Sequence, residues 1–252
     1  MSTNETTTAE KRLTLLGHLL ELRNRLTYCA IALVVTIGIS FIFANQLFEI
    51  LTRPAGAQQF VFIEITEMMS VYMKVCLASG LVIAMPFILY HIVMYISPGL
   101  TRKEKRMVNL IIPWVGLMFI VGVVFGYLVL LPPALKFLFN FGTNIAIPQI
   151  RIENYISVVT RLLLVIGLVF ELPVLIAFLA RIGIVNSKAL SKQRKWAYVL
   201  AFILSALITP TMDPVNQTIV AAPLIVLYEI SIVLAWLVQK KKVEANTTKP
   251  PD

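Results

Sequence analysis

Six apolar segments, joined by shorter polar ones, constrain the fold of this chain more than any other feature of its sequence. Most of them approach the ~20 residues that an α-helix needs to cross a bilayer. Backbone amides inside hydrocarbon must be satisfied within the segment itself, so such segments fold as helices. The chain is therefore predicted to be an all-α polytopic membrane protein. The predicted spans are approximately 26–44, 70–94, 108–131, 155–179, 196–208 and 215–238.

The fifth apolar segment differs from the others in length. The stretch 196–208 has 13 residues, which is about 20 Å of helix against a hydrocarbon core of about 30 Å. We therefore expect a short fifth helix and, after the break TPTMDP, a shortened sixth. Composition agrees with a membrane protein, since 58% of the residues are hydrophobic and 14% are charged, against about 45–50% and 25% in soluble domains.

The basic residues indicate how the helices are oriented. Of 22 Lys and Arg residues, 17 lie in the segments 1–25, 95–109, 180–195 and 239–252, and the loops between these carry three. By the positive-inside rule this places both termini in the cytoplasm. Residues 1–17 are predicted to be a mobile cytoplasmic tail, 18–238 the membrane domain and 239–252 a basic cytoplasmic tail.

The net charge of +9 comes from these topology signals, so nucleic acid is not a predicted partner. The first apolar segment lacks a clear cleavage site and is interpreted as a retained helix. Because the N-terminus lacks the composition of a transit peptide, we expect the plasma membrane of a prokaryote. The cysteines and histidines lie in separate elements, so neither a metal site nor a cofactor is predicted.

Two glutamates stand inside apolar segments. Glu171 lies in LLLVIGLVFELPVLIAFL, and Glu229 lies in AAPLIVLYEISIVLAWL. A carboxylate in hydrocarbon costs several kcal/mol unless it is paired, hydrated or protonated, so each is a candidate functional residue. Arg161 is ten residues from Glu171 and points about 80° aside on the same helix, which makes it a poor counter-ion.

Two motifs are predicted to share the cytoplasmic face. In HLLELRNRL (18–26), Glu21 and Arg25 have the i, i+4 spacing of a helical ion pair. In YISPGLTRKEKR (95–106), Glu104 is one carboxylate among four basic residues. Two carboxylates on one face can bind a basic ligand, since arginine pairs well with carboxylate. The alternative is an ordinary interfacial helix followed by a solvated loop.

These two motifs, together with GLVFELPV, the short fifth span and LYEIS, resemble the TatC family over about residues 13–238. TatC is the six-helix receptor subunit of the twin-arginine protein translocase. The resemblance implies a cup-shaped bundle that binds the twin-arginine signal peptides of folded proteins. By position, Glu21 and Glu104 would receive the two arginines, Arg23 would belong to the same surface, and Tyr95 stands where the family often has Phe.

The resemblance also implies partners and an energy source. Glu171, on a lipid-exposed concave face, and Gln217 would contact the single helix of a TatA-type or TatB-type protein. Pro54 corresponds to a proline of the first outer loop, and no firm role follows for Asp213 or Glu229. The chain would nucleate the translocase in a larger complex containing several copies, and transport would use the proton-motive force.

Other classes of function make different demands on the sequence. A proton-coupled small-molecule transporter could use Glu171 and Glu229 as a relay, and it remains the alternative. An enzyme is not predicted, because the chain has neither HExxH nor G-x-S-x-G, and no Walker motif.

Overall fold

The structure is a computed structural model. It describes the backbone of residues 3–56, 58–96, 102–141, 143, 149–209 and 213–247, and the side chains of 17–56, 58–95, 108, 111–141, 143, 149–209 and 213–239. The described helices are α1 (Thr3–Ile42), α2 (Ala44–Thr52), α3 (Glu67–Ile96), α4 (Arg102–Phe125), α5 (Leu131–Asn140), α6 (Ile152–Val169), α7 (Leu172–Ile182), α8 (Ser187–Lys192), α9 (Arg194–Ile208) and α10 (Pro214–Thr247).

Five stretches of helix are long and apolar enough to cross a membrane. They are Gly17–Ile42, Glu67–Tyr95, Ile111–Asn140, Ile152–Ile182 and Pro214–Gln239. Each coincides with a predicted span, which confirms the all-α polytopic class.

The fifth predicted span corresponds to α9, which has 15 residues. It rises only about 22 Å, so the prediction of a short fifth helix is confirmed. The prediction of a shortened sixth helix is wrong. The apolar part of α10 has 26 residues, because the helix begins at Pro214, directly after the break.

Two other predicted boundaries differ from the structure. The third span was expected to end at residue 131, before Pro132-Pro133, but the helix continues to Asn140. A π-helical turn at Gly126–Leu130 interrupts the regular ladder, and the two prolines then occupy the first turn of α5, where a missing N–H costs little. At the N-terminus, α1 begins at Thr3, so most of the segment predicted as a tail is helical.

One end of the bundle, called here the basic end, is where α3 ends, α4 begins and α7 leads into α8. The two longer loops, which follow α2 and α5, lie at the opposite end. There the two long loops pair through two short parallel strands, β1 (Phe60–Val61) and β2 (Ile150–Arg151). Phe60 stands opposite Ile150, and Val61 stands opposite Arg151. The all-α prediction did not include these strands, since two residues are too few for an alternating pattern.

Helix α6 forms the centre of the bundle. Its fully buried side chains recur at helical spacing through Ile156, Val159, Leu162 and Ile166. They belong to the main apolar cluster, which also contains residues of α2, α3, α5, α9 and α10. Buried apolar residues at this spacing form one face of the helix, and that face packs against its neighbours.

Tyr155 connects this central helix to the opposite end. Its buried hydroxyl donates a hydrogen bond to the Leu51 carbonyl over 2.8 Å. Tyr155→Phe is expected to lower the free energy of unfolding by about 1–2 kcal/mol, because the buried carbonyl loses its partner. Tyr127→Phe is the matched control, since its hydroxyl donates over the same 2.8 Å to Ile50 at an exposed position. Chemical denaturation of the two purified variants measures the difference, and equal losses would contradict the prediction.

Candidate functional site

At the basic end, the HLLELRNRL segment of α1 packs against the end of α3. The His18 imidazole stacks on the Tyr95 ring with 4.4 Å between ring centroids. Further along the same helices, Tyr28 stacks on His91 at 5.8 Å. The structure therefore brings Tyr95 to the first motif, as a shared recognition surface requires.

Glu21 is held by its own helix. Arg25 donates two hydrogen bonds to Glu21 Oε1, from Nε over 2.9 Å and from Nη2 over 2.6 Å. The predicted i, i+4 pair is thus present, and about a third of the Glu21 side chain (31%) is exposed. Arg23 is exposed. Within the described side chains, Glu21 Oε2 accepts no hydrogen bond.

Exposed leucines surround this pair. Leu19, Leu22 and Leu26 are all exposed on α1, which agrees with a helix lying in lipid or at its interface. Glu104 belongs to the first turn of α4, but its side chain lies outside the described residues. The predicted pairing of Glu21 with Glu104 across one face is therefore untested.

Glu171 occupies a break between two helices. α6 ends at Val169 and α7 begins at Leu172. Pro173 follows and has no N–H to continue the ladder. Before it, the Glu171 amide donates to the Leu168 carbonyl over 3.1 Å, and this i to i−3 bond forms a turn and not a regular α-helix. The sequence FELP thus places a glutamate at the turn between two half-helices in mid-span.

The expectation that Glu171 lies on a lipid-exposed face is wrong. The residue is 2% exposed, and its carboxylate lies beside the backbone of Phe119 on α4. Neither carboxylate oxygen has a hydrogen-bond partner among the described residues. The cause is the tight contact of α4 with α6, where a Cβ at Gly167 would stand 2.7 Å from Phe119 Cε2. Hydropathy alone does not show which face of the α6–α7 span another helix covers.

Gln217 lies apart from Glu171, and no hydrogen bond among the described residues joins them. Its Nε2 donates to the Phe202 carbonyl over 3.0 Å, and its own carbonyl accepts from Ser205 Oγ over 2.6 Å. Gln217 also lines an open groove of about 750 Å³ on α9, together with Tyr198 and Phe202. This groove is an exposed apolar surface beside a polar side chain.

Glu229, for which no role was predicted, anchors α9 to α10. Tyr198 donates to Glu229 Oε1 over 2.6 Å, and Arg194 donates to Oε2 over 2.8 Å. Both oxygens are therefore bonded, as a carboxylate within an apolar segment requires. The transporter alternative needs a relay from Glu171 to Glu229, and no hydrogen bond among the described residues connects these two groups.

Asp213 and Pro54 have local structural roles. Asp213 Oδ1 accepts the Asn216 amide over 2.7 Å, so Asp213 caps the N-terminus of α10. Pro54 lies in a 3₁₀ turn, Arg53–Ala55. Gly56 follows at φ 64°, a conformation that favours glycine. This turn redirects the chain from α2 towards β1.

Sequence reasoning missed a cluster of charges at the opposite end. Arg151 Nη2 lies 3.0 Å from Glu67 Oε2, and the Glu67 side chain is 1% exposed. Lys74 Nζ lies 2.6 Å from Glu153 Oε1. The hydrogen bond that Arg151 donates to Glu67 raises the pKa of Arg151. Lys74, Glu67 and Glu153 near the ends of predicted spans were the available signal, but their pairing depends on the β1–β2 register.

Comparison with known proteins decides the family. The family model described as "Sec-independent protein translocase protein (TatC)" matches residues 17–223. The chain belongs to the TatC family. The TatC protein of Carboxydothermus hydrogenoformans is 36% identical and covers 92% of this chain and 97% of its own length. The TatC protein of Aquifex aeolicus is 38% identical and covers 90% of this chain and 96% of its own length.

A solved structure agrees with this assignment. A crystal structure of a twin-arginine translocase receptor, TatC, superimposes on this chain with a TM-score of 0.80 and 37% sequence identity. It covers 88% of this chain and 99% of its own. This TatC-family chain is therefore a multi-pass membrane component of the Sec-independent protein translocase, and not an enzyme. Membership in that translocase implies other Tat components as partners.

Proposed function

We propose that this chain binds twin-arginine signal peptides of folded precursors at its basic end. Glu21 and Glu104 would receive the two arginines, with Arg23 and Tyr95 beside them. The observation that carries the proposal is the state of Glu21. It already binds one guanidinium through Oε1, it is partly exposed, and Oε2 has no partner in the described part of the chain. A carboxylate in this state can accept a signal-peptide guanidinium at Oε2, which then competes with Arg25 for the same carboxylate.

Arg25 is then a competitor of the incoming arginine. A partly exposed i, i+4 pair of this kind contributes only about 0.3–0.5 kcal/mol, so a signal-peptide arginine can replace it at low cost. The stacked ring of Tyr95 provides an apolar surface beside the carboxylate. Together these features describe a site that is occupied by its own arginine until a better-placed one arrives.

The basic end would face the cytoplasm of a cell whose plasma membrane holds the chain. Both termini would lie on that side, as the distribution of Lys and Arg predicts. The chain would nucleate the translocase there, associate with further copies of itself, and depend on the proton-motive force for transport.

Single-span TatA-type or TatB-type proteins are the proposed partners. The groove on α9 carries Gln217 beside apolar residues, and a polar side chain within an apolar helix surface favours association with a second helix. Glu171 can take part only if α7 moves away from α4, because the carboxylate is enclosed in the isolated chain. The break at Phe170–Glu171 is where such a movement would occur.

The test compares two variants that break the same ion pair. Glu21→Gln is expected to weaken capture of an Arg-Arg signal peptide at least tenfold, because a charge-assisted hydrogen bond is lost. Arg25→Gln is expected to strengthen capture about twofold, because the competitor is removed. Binding is measured with a fluorescent peptide and the chain in nanodiscs, with a Lys-Lys peptide as the specificity control.

Equal effects of the two variants would mean that the ion pair serves helix stability alone. Equal capture of Arg-Arg and Lys-Lys peptides by the unaltered chain would reject twin-arginine recognition. Glu104→Gln tests the second carboxylate in the same assay, and an unchanged affinity would remove that residue from the site.

A further inference from the structure

A groove on the other side of the bundle lies between α4, α7 and α10. Its volume is about 610 Å³, and residues lining it include Trp114, Phe170, Ala177, Arg181, Leu227 and Val238. Arg181 is the single charged residue among the lining residues, and all the others are apolar. This groove is separate from the surfaces that carry Glu21 and Gln217.

The groove has the length of one lipid leaflet. One wall extends from Phe170, just before α7, to Arg181 on α7, and the other extends from Leu227 to Val238 on α10. Each is 11 residues along the chain, which is about 16 Å of helix. Half of a hydrocarbon core of about 30 Å is 15 Å. A partner helix crosses both leaflets, so a groove of half that length fits an acyl chain better than a helix.

The end of the groove carries the charge that a phospholipid head group requires. Arg181 is exposed and lies near the basic end, where Val238 ends the other wall. Trp114, which is 53% exposed, stands near the same end, as aromatic residues do at the membrane interface. Acyl chain, interface and charged head group thus each meet a matching part of the groove.

The adjoining loop is basic and is held in place. Between Arg181 and α9 the sequence contains Lys188 and Lys192 and no Asp or Glu. Gln239, one residue after Val238, donates to the Val185 carbonyl over 2.9 Å and accepts from Ser187 Oγ over 2.9 Å. These bonds hold the loop that follows Arg181 against α10 at Gln239. An anionic head group is therefore favoured over a zwitterionic one.

We propose that this groove binds an anionic phospholipid of the leaflet at the basic end, with its acyl chain along α7 and α10 and its phosphate at Arg181. The inference uses the membrane fold and not signal-peptide recognition, so either can fail alone. A lipid bound there would also reach Phe170, which is next to Glu171 at the break between α6 and α7.

The experiment uses the full chain in phosphatidylcholine nanodiscs. A trace of phosphatidylglycerol or phosphatidylcholine carries a photoreactive acyl chain, and mass spectrometry locates the labelled peptides. The phosphatidylglycerol probe is expected to label the walls 173–178 and 227–238 about five times as strongly as the phosphatidylcholine probe, as one basic residue near the surface provides. Arg181→Gln is expected to reduce that ratio to about one, and Arg181→Lys to retain it.

Lys195→Gln is the matched control, because Lys195 is also basic and exposed but lines the groove on α9. It should leave the ratio unchanged. Equal labelling by the two probes in the unaltered chain, or a ratio that survives Arg181→Gln, would overturn the proposal. A photoreactive residue at position 177 that captures a second copy of the chain or another protein, and no lipid, would overturn it as well.

Discussion

Gly80→Val is expected to prevent α1 from packing on α3 and to lower the free energy of unfolding by about 3 kcal/mol. A Cβ at position 80 would stand 2.6 Å from Ile37 Cγ1, 2.8 Å from Ile37 Cα and 2.9 Å from Ile37 N. The last two atoms are backbone and cannot rotate away, so the helices must separate. In lipid, such close approach is a main source of helix association.

The consequence reaches the proposed recognition surface, because α1 carries Glu21 and α3 carries Tyr95. We expect Gly80→Val to lower both the thermal midpoint in detergent and the capture of an Arg-Arg peptide. Gly38→Val is the matched control. Gly38 follows Ile37 on α1, and a Cβ there meets no atom within 4 Å. Midpoints that agree between the two variants would show that α1 is not held on α3 by this contact.

The sequence predicts well what depends on short-range patterns. The length of the apolar segments predicts the long spans, and the break at Pro214 predicts the start of α10. The spacing of Glu21 and Arg25 gave their ion pair. Each of these features depends either on residues within one helical turn or on the length of an apolar segment relative to the bilayer. Both can be read directly from the sequence.

Features that depend on distant residues could not be predicted in this way. The pairing of Val61 with Arg151 brings Arg151 to Glu67, which is 84 residues away in the chain. The burial of Glu171 depends on how closely Phe119 approaches Gly167. Hydropathy shows that a carboxylate lies at mid-span but does not show whether lipid or protein surrounds it.

Polar contacts explain why a helix as short as α9 keeps its place. At its first turns, Arg194 and Tyr198 bond to Glu229. Near its other end, Phe202 accepts from the Gln217 side chain. A 15-residue helix cannot match the bilayer by itself, so attachment to α10 at both ends holds it there. The exposed groove on α9 therefore lies on a helix that is bonded to α10 at two points.

Glu171→Leu is expected to stabilise the resting chain while it abolishes export. Removing a buried carboxyl group without a hydrogen-bond partner should raise the free energy of unfolding by about 2 kcal/mol. Under the proposed function, the same change removes the group that a partner helix would contact, so transport of a folded Tat substrate should fall at least tenfold. Thermal unfolding of the purified chain and an export assay in vesicles measure the two effects.

Glu229→Leu provides the contrast, because it removes a glutamate whose two oxygens are both bonded. It should destabilise the chain by about 1–3 kcal/mol, the opposite sign to Glu171→Leu. A loss of stability in Glu171→Leu would contradict the conclusion that the Glu171 carboxyl is enclosed without a hydrogen-bond partner. A gain of stability with export intact would confirm the burial and reject the partner contact. Only a more stable chain that no longer transports supports both, with Glu171 as a cost that the resting fold bears for function.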